Sequence, residues 1–407
     1  MTGPAGPLTG VRVVEVAAWM AAPGATAMMA DLGADVVKVE PLSGDAVRGV
    51  IRQPQLPEGT PPFDPPFQLD NRGKRGIAVA LDRPEGQELV RRVVSSADVF
   101  VNNLLPRRQG RFGLDAHTLL AAAPRLVHAT LTGYGVDGPD AARPGFDITA
   151  FFGRGGITHS ITEPSSQAPR ARPAQGDHAA ALALLAAVLA ALRLVERTGE
   201  GQVLDVSLLG TAVWTMSTDL SSTLVDGIDP PVLGRRRRRH ALQESFRCAD
   251  DRWILLFMPE PRWWPMFCDV VDRPQWAQDP RFETVASRLE HMPEITDLMD
   301  ELFATRSLDE WGVLFDEARL TWGPASTVAE VAADPHAAAV GLFPEISHPT
   351  AGRFRTVAAP MRLHGVDTAP RGPAPELGEH TRDVLREAGL GDAEVEALVT
   401  DGVIGVA

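Results

Sequence analysis

An aspartate, Asp177, stands between Gly176 and a helix-like run in which Ala179 to Leu192 are all apolar. A carboxylate there can cap the helix, and the positive end of the helix dipole favours its ionised form. The same carboxylate can act as a nucleophile. Attack on an activated acyl group forms a covalent intermediate and divides one difficult transfer into two easier steps. Gly176 allows a substrate to come close. Capping alone and capping combined with catalysis both fit these residues.

Other polar clusters carry weaker chemistry. Gly133-Tyr-Gly135-Val-Asp-Gly138 fits the spacing of a dinucleotide loop, but Pro139 and Pro144 follow where a helix would have to receive the pyrophosphate. No NAD or flavin site is expected. Asn71-Arg-Gly-Lys74-Arg75 precedes a strand and holds one of the two lysines in the chain, Lys38 and Lys74. Loops at the ends of parallel strands gather ligands, so this run reads as a binding loop, with an exposed basic turn as the alternative. Arg235 to Arg239 reads as a solvated loop. Cys248 and Cys268 have no CxxC partner and no clustered histidines, which argues for buried thiols and against a metal or disulfide.

The elements that would position these groups alternate in period. Strand patterns at 12–16, 34–40, 77–81, 98–101 and 126–131 are separated by helical patterns, including 84–96 and 114–123. Strands joined by short helices give right-handed crossovers and a mostly parallel sheet covered on both faces. The fold class is α/β with a Rossmann-like, doubly wound half. The apolar helix from Gly176 to about Arg197 is expected to be buried on nearly all sides, and its apolar run is too short to span a bilayer. A composition change at 225–239 and a tryptophan-rich stretch at 240–325 mark a second unit. This gives domains at 1–224 and 225–325, with 326–407 following.

The chain has 407 residues and a formal charge of −14, with 44% hydrophobic and 23% charged residues. Such a composition fits a globular chain with a large core, and its acidic balance disfavours general nucleic-acid binding. The first apolar stretch is broken by Glu15 and Pro23, so no export signal is read and a cytoplasmic protein is expected, with no membrane partner.

Several motifs in order carry a resemblance. Pro7-Leu-Thr-Gly-Val-Arg-Val-Val-Glu15, the Ala30 to Glu40 stretch, Gly44-Asp45 with Arg48, and Asn71 to Arg75 come first. Asp98-Val-Phe-Val-Asn-Asn103, Arg143-Pro-Gly-Phe-Asp147, Gly176-Asp177 and Arg197-Thr-Gly-Glu-Gly-Gln202 follow. Together they resemble the class III CoA-transferase, or CaiB/BaiF, family over essentially the whole chain. The resemblance implies a large domain built from both chain ends, a smaller middle α+β domain and an interlocked homodimer. It also implies an acyl-CoA donor, a carboxylic acid acceptor and no metal, NAD or flavin. Asp177 matches the nucleophile, which would pass through an acyl-aspartyl anhydride and an aspartyl-CoA thioester. Implied CoA contacts are Met20, Ala21, Pro41, Val79, Leu81, Asn103, Leu104, Arg111, Gly145, Phe146 and Asp147, with Lys74, Arg75 and Arg143 as further candidates. α-Methylacyl-CoA racemases of the same family carry a histidine where this chain has Phe146, which favours transfer over proton exchange. His159 and His178 read as structural. A non-catalytic CoA-binding protein is the third reading. The stretch from Asp147 to Gly156 resembles transferases of 2-hydroxyacyl, arylacyl or similar medium-sized acids, and Phe146, Phe151 and Phe152 suit an apolar acyl pocket.

Overall fold

A computed structural model of the protein describes residues 6–48, 64–234 and 240–407. The arginine run at 235–239 lies outside the described residues. Two compact units divide the chain. The larger takes residues up to Ser160, Pro169–Ile228 and His336–Ala407; the smaller takes Ile161–Ala168 and Asp229–Pro335. The first boundary falls within the composition change at 225–239, the second at Pro335 rather than 325, and Ile161–Ala168 joins the smaller unit. Helix Val328–Ala333 belongs to the smaller unit, where Glu330 pairs with Arg252 at 2.6 Å.

In the larger unit, β1 (Arg12–Val16), α1 (Ala21–Asp31), β2 (Asp35–Glu40), α2 (Pro65–Asn71), β3 (Arg75–Val79) and α3 (Pro84–Val94) open the chain. They are followed by β4 (Val99–Asn102), α4 (Pro106–Phe112), α5 (Ala116–Ala122) and β5 (Val127–Thr132). A π-helix (Ile148–Arg154) and α6 (Ile157–Ser160) lead to α7 (Gln175–Thr198), β6 (Gln202–Ser207), α8 (Leu208–Thr215) and α9 (Ser217–Asp226). The sheet order is β3-β2-β1-β4-β5-β6, all parallel, and the C-terminal strand Ile404–Gly405 pairs antiparallel outside β3. The periodicity did not announce β6 or the C-terminal strand. The latter is two residues long, and β6 is an edge strand with Val203 63% exposed.

Both faces of the sheet are covered. Val13, Val99, Val101 and Val127 pack with residues of α1 and α7, while Val14, Val37, Ile77 and Phe100 pack with α3 and the helices Thr381–Glu387 and Asp392–Thr400. Chain order reverses between β1 and β4, and in such sheets ligands bind outside the carboxyl ends of the strands at that point. α7 departs from expectation. It buries one face on α1, but Leu182, Leu189 and Leu194 are exposed. With 24 residues and mean hydropathy 2.1 over an 18-residue window, it is long and apolar enough to cross a membrane.

In the smaller unit, β7 (Ser245–Arg247), β8 (Trp253–Leu256) and β9 (Trp322–Pro324) form an antiparallel sheet. Ring contacts among Phe246, Phe267, Phe303, Trp311, Phe315 and Trp322 build its core, which accounts for the local enrichment in aromatic residues. Cys248 and Cys268 are free thiols within that core, and burial pushes them up to about 11 and about 12.

Glu15 sits fully buried in β1. Its carboxylate accepts from Lys38 Nζ at 2.8 Å, from Lys74 Nζ at 2.7 Å and from the Thr26 hydroxyl. Burial alone would raise its pKa, but the two ammonium groups overcome this and hold it at about 2. Lys74 is pulled down to about 8 by burial and by the neighbouring charge of Lys38. Both lysines of the chain are thus spent inside the protein. Glu15→Ala would leave two buried ammonium groups short of their shared partner. It is expected to cost about 3–5 kcal/mol, the scale of breaking a buried ion pair, measured by denaturant unfolding against wild type.

Candidate active site

A cavity of about 1050 Å³ opens at the carboxyl ends of the parallel strands. Each strand sends a short segment into its lining: Ala17 to Trp19 after β1, Pro41 to Ala46 after β2, Ala80 to Asp82 after β3, Asn103 to Leu105 after β4, and Thr132 and Gly133 from β5. Asp177 and the turn Pro144-Gly145-Phe146 complete the wall used below. The size fits part of a large, extended ligand better than a small acid alone.

The segment after β1 is fixed from three sides. Lys38 Nζ donates to the Ala17 carbonyl at 3.0 Å. The Asn103 amide donates to the Ala18 carbonyl at 2.7 Å and accepts the Ala18 N–H at 3.3 Å. Asp45 accepts the Trp19 N–H at 3.1 Å and pairs with Lys38 at 2.8 Å.

Asp177 lies in the first turn of α7 and is not its cap, as capping from sequence had predicted. Ala174 occupies the cap position with φ of 77°. The buried Asp147 carboxylate accepts the Ile148 N–H at 2.7 Å, and among the described residues no side chain caps α7. Burial raises the Asp147 pKa, and the nearby N–H groups of Ala174 and Gly176 oppose that rise. The dipole does not win at Asp177 either. Burial and then the charge of Asp147 push it up to about 7, with Asp70 adding to the rise and His178 opposing it. His178 Nε2 is 3.1 Å from Asp70, and this contact raises its pKa.

Close packing holds the nucleophile candidate in place. A Cβ on Gly176 would come within 2.7 Å of the Phe151 ring, so only glycine fits there. Gly133 and Gly145 face each other so closely that a Cβ on Gly133 would meet Gly145 Cα at 2.8 Å. The glycines that suggested a dinucleotide loop thus include a tight backbone crossing, with no helix before the π-helix.

Of the residues named from sequence, Ala21, Pro41, Leu81, Asn103, Leu104, Gly145, Phe146 and Asp177 line the cavity. Asp147 is outside the lining, and its charge acts on Asp177. Met20 is buried in a cluster with Val47, Phe67 and Ala374, and Val79 is sheet core. Lys74 and Arg75 lie outside the lining and are engaged by other side chains. Lys74 bonds Glu15, the Pro23 carbonyl and Asn71, while Arg75 pairs with Asp35 at 2.6 Å and Glu387 at 2.7 Å. Arg111 and Arg143 are outside the lining, Arg143 lying over the Tyr134 ring at 5.3 Å. Phe151 and Phe152 are core residues. The lining adds Trp19, Asp45, Arg48 and Arg108. Arg48 already grips Glu40 with two bonds of 2.7 Å, whereas Arg108 lies over Phe112 at 5.6 Å. The position of Trp19 directly after the first strand was the available signal for it. Among the described residues no group of three or more His, Cys, Asp or Glu gathers as a metal site would need.

The sequence model of CoA-transferase family III matches residues 8–381. The chain belongs to CoA-transferase family III. It is similar to the (R)-2-hydroxy-4-methylpentanoate CoA-transferase of Clostridioides difficile, at 31% identity over 95% of this chain and 97% of the relative. It is also similar to the cinnamoyl-CoA:phenyllactate CoA-transferase of Clostridium sporogenes, at 29% over 97% and 96%. A CaiB/BaiF family protein from Brucella suis has the same fold, with TM-score 0.81 and 29% identity, covering 94% of this chain and all of that one. This family III member is therefore a CoA-transferase, with CoA thioesters and carboxylic acids as its substrates. Gly176→Ala tests the packing around Asp177. It is expected to cost about 1–3 kcal/mol from overpacking and to reduce CoA transfer at least tenfold, measured by thermal unfolding and by chromatography of the CoA esters.

Proposed function

We propose that the protein moves CoA from an acyl-CoA to a free carboxylic acid through covalent intermediates on Asp177, with medium-sized apolar, 2-hydroxy or aryl acids as substrates. The observation that carries this reading is a carboxylate held at the cavity wall by α7, with its neighbours tuning its charge. The Asp177 oxygen attacks the thioester carbonyl, forming an acyl-aspartyl anhydride and expelling CoA thiolate. The thiolate then attacks the aspartyl carbonyl, giving an aspartyl-CoA thioester and releasing the first acid. The acceptor carboxylate attacks that thioester, and the returning thiolate takes the new acyl group and frees Asp177. Each step exchanges one C–O or C–S bond, so neither a redox agent nor a net proton is consumed.

Apolar lining by Trp19 and Phe146, and the names of the two relatives, favour apolar and aryl acids. Proton exchange is less well supported, because Phe146 offers no acid or base group and His178 is engaged by Asp70. A binding-only role is disfavoured by a carboxylate kept at the cavity. Asp177→Ala is expected to reduce transfer to background while thermal unfolding stays near wild type; a near-normal rate would overturn the assignment. The ionised fraction of Asp177 grows as pH rises through about 7. The kcat/KM profile should therefore ascend there, and Asp147→Asn should move that limb to lower pH by removing a neighbouring negative charge.

We also propose a cytoplasmic homodimer, a reading that the two free cysteines suit. Exposed Leu182, Leu189 and Leu194 of α7, Val203 of β6, and Trp214, Leu224 and Val225 of α8 and α9 supply apolar surface for a second copy. Trp214→Glu should shift the protein toward monomer in sedimentation velocity, and an unchanged mass would count against this face.

A further inference from the structure

Trp19 carries a φ of 69°, in the left-handed region where a bulky side chain is rare. Such a conformation persists only where the surroundings impose it, and it collects at functional sites. Here the surroundings are explicit. Lys38 donates to the Ala17 carbonyl, Asn103 donates to the Ala18 carbonyl and accepts its N–H, and Asp45 accepts the Trp19 N–H, which leaves this backbone little freedom. The next residue, Met20, is anchored in an apolar cluster, and Trp19 packs against that cluster. The indole meets the Phe146 ring edge to face, with centroids 5.2 Å apart and planes at 82°. Both rings line the cavity that Asp177 also lines.

The polar surroundings limit what this wall can accept. Among the described residues the lining cations are Arg48 and Arg108. Arg48 already holds Glu40 and the Pro375 carbonyl, and Arg108 stands over the Phe112 ring. Beside Trp19 a second carboxylate on the acyl group would meet the Phe146 ring and the carboxylate of Asp45, which accepts the Trp19 N–H. An aryl or branched alkyl group would gain aromatic contact and lose little hydration.

We propose that Trp19, seated edge-on against Phe146, is a specificity-determining residue that selects aryl and branched apolar acyl groups over short or dicarboxylic ones. The proposal rests on the reading of this cavity as the acyl-transfer site, and it deepens that reading. The buried Lys38–Asp45 pair acts at one remove, by holding the backbone that aims the indole.

Binding of CoA thioethers, which cannot transfer their substituent, tests this without depending on the chemistry of Asp177. Titration calorimetry would compare S-(2-phenylethyl)-CoA, S-methyl-CoA and S-(2-carboxyethyl)-CoA on wild type, Trp19→Ala, Trp19→Phe and Asp177→Ala. Wild type should bind the phenylethyl thioether at least about tenfold tighter than the other two, the scale of a few apolar contacts in a pocket. Trp19→Ala should erase that ratio, Trp19→Phe should restore most of it, and Asp177→Ala should retain it. A wild type without preference, or a Trp19→Ala that weakens all three ligands equally, would overturn the proposal. Retention of the ratio in Asp177→Ala keeps this inference standing even if Asp177 fails as the nucleophile.

Discussion

A single buried carboxylate organises the working end of the sheet. Glu15 lies fully buried near the carboxyl end of the central strand, where a charge without partners would not be tolerated. Its two lysines come from β2 and from the segment before β3, and Thr26 comes from the helix that follows β1. Through Lys38 the network reaches Asp45 and the Ala17 carbonyl, and so fixes the segment that bears Trp19. The carboxylate side of this network is strongest above the ordinary glutamate range near 4.5. On acidification the unfolded chain takes up its proton first, and that contribution is lost as pH falls toward 2.

Asp177 shows the opposite balance. Glu15 is ionised because two cations outweigh burial, whereas Asp177 has burial and the carboxylates of Asp147 and Asp70 against it and only His178 in its favour. Asp177 does not cap α7, and Asp147 places a negative charge near it. A carboxylate poised near neutrality suits a group that must attack as an anion and later leave as one. The tight seat of Gly176 on Phe151 transmits core packing directly to this residue.

Much of this was legible in the sequence, and the reasons for the rest are physical. β-Branched runs announced β1 to β5, and the apolar run announced α7. The exposed stripe of α7 was hidden, because alanine and leucine read alike on a buried face and on one left open. Asp177 stood out through residue type and position, and the Gly145-Phe146 turn through the family resemblance. Lys74 reads as a ligand contact because it is a cation beside a strand, while Glu15, the carboxylate that it meets in the fold, lies 59 residues away. Trp19 had no motif to mark it; its role depends on a backbone angle and on Asp45, Asn103 and Phe146, which only the fold brings together.

Passage of the acyl group and then CoA over Asp177 leaves a chemical trace, read by incubating the protein with acyl-CoAs, quenching with hydroxylamine and mapping peptides by mass spectrometry. Hydroxylamine converts an activated aspartyl ester or thioester into a hydroxamate. A donor-dependent hydroxamate confined to the peptide containing Asp177 is the predicted result. Sustained CoA transfer with that peptide unmodified, or with the hydroxamate on another carboxylate, would contradict the account.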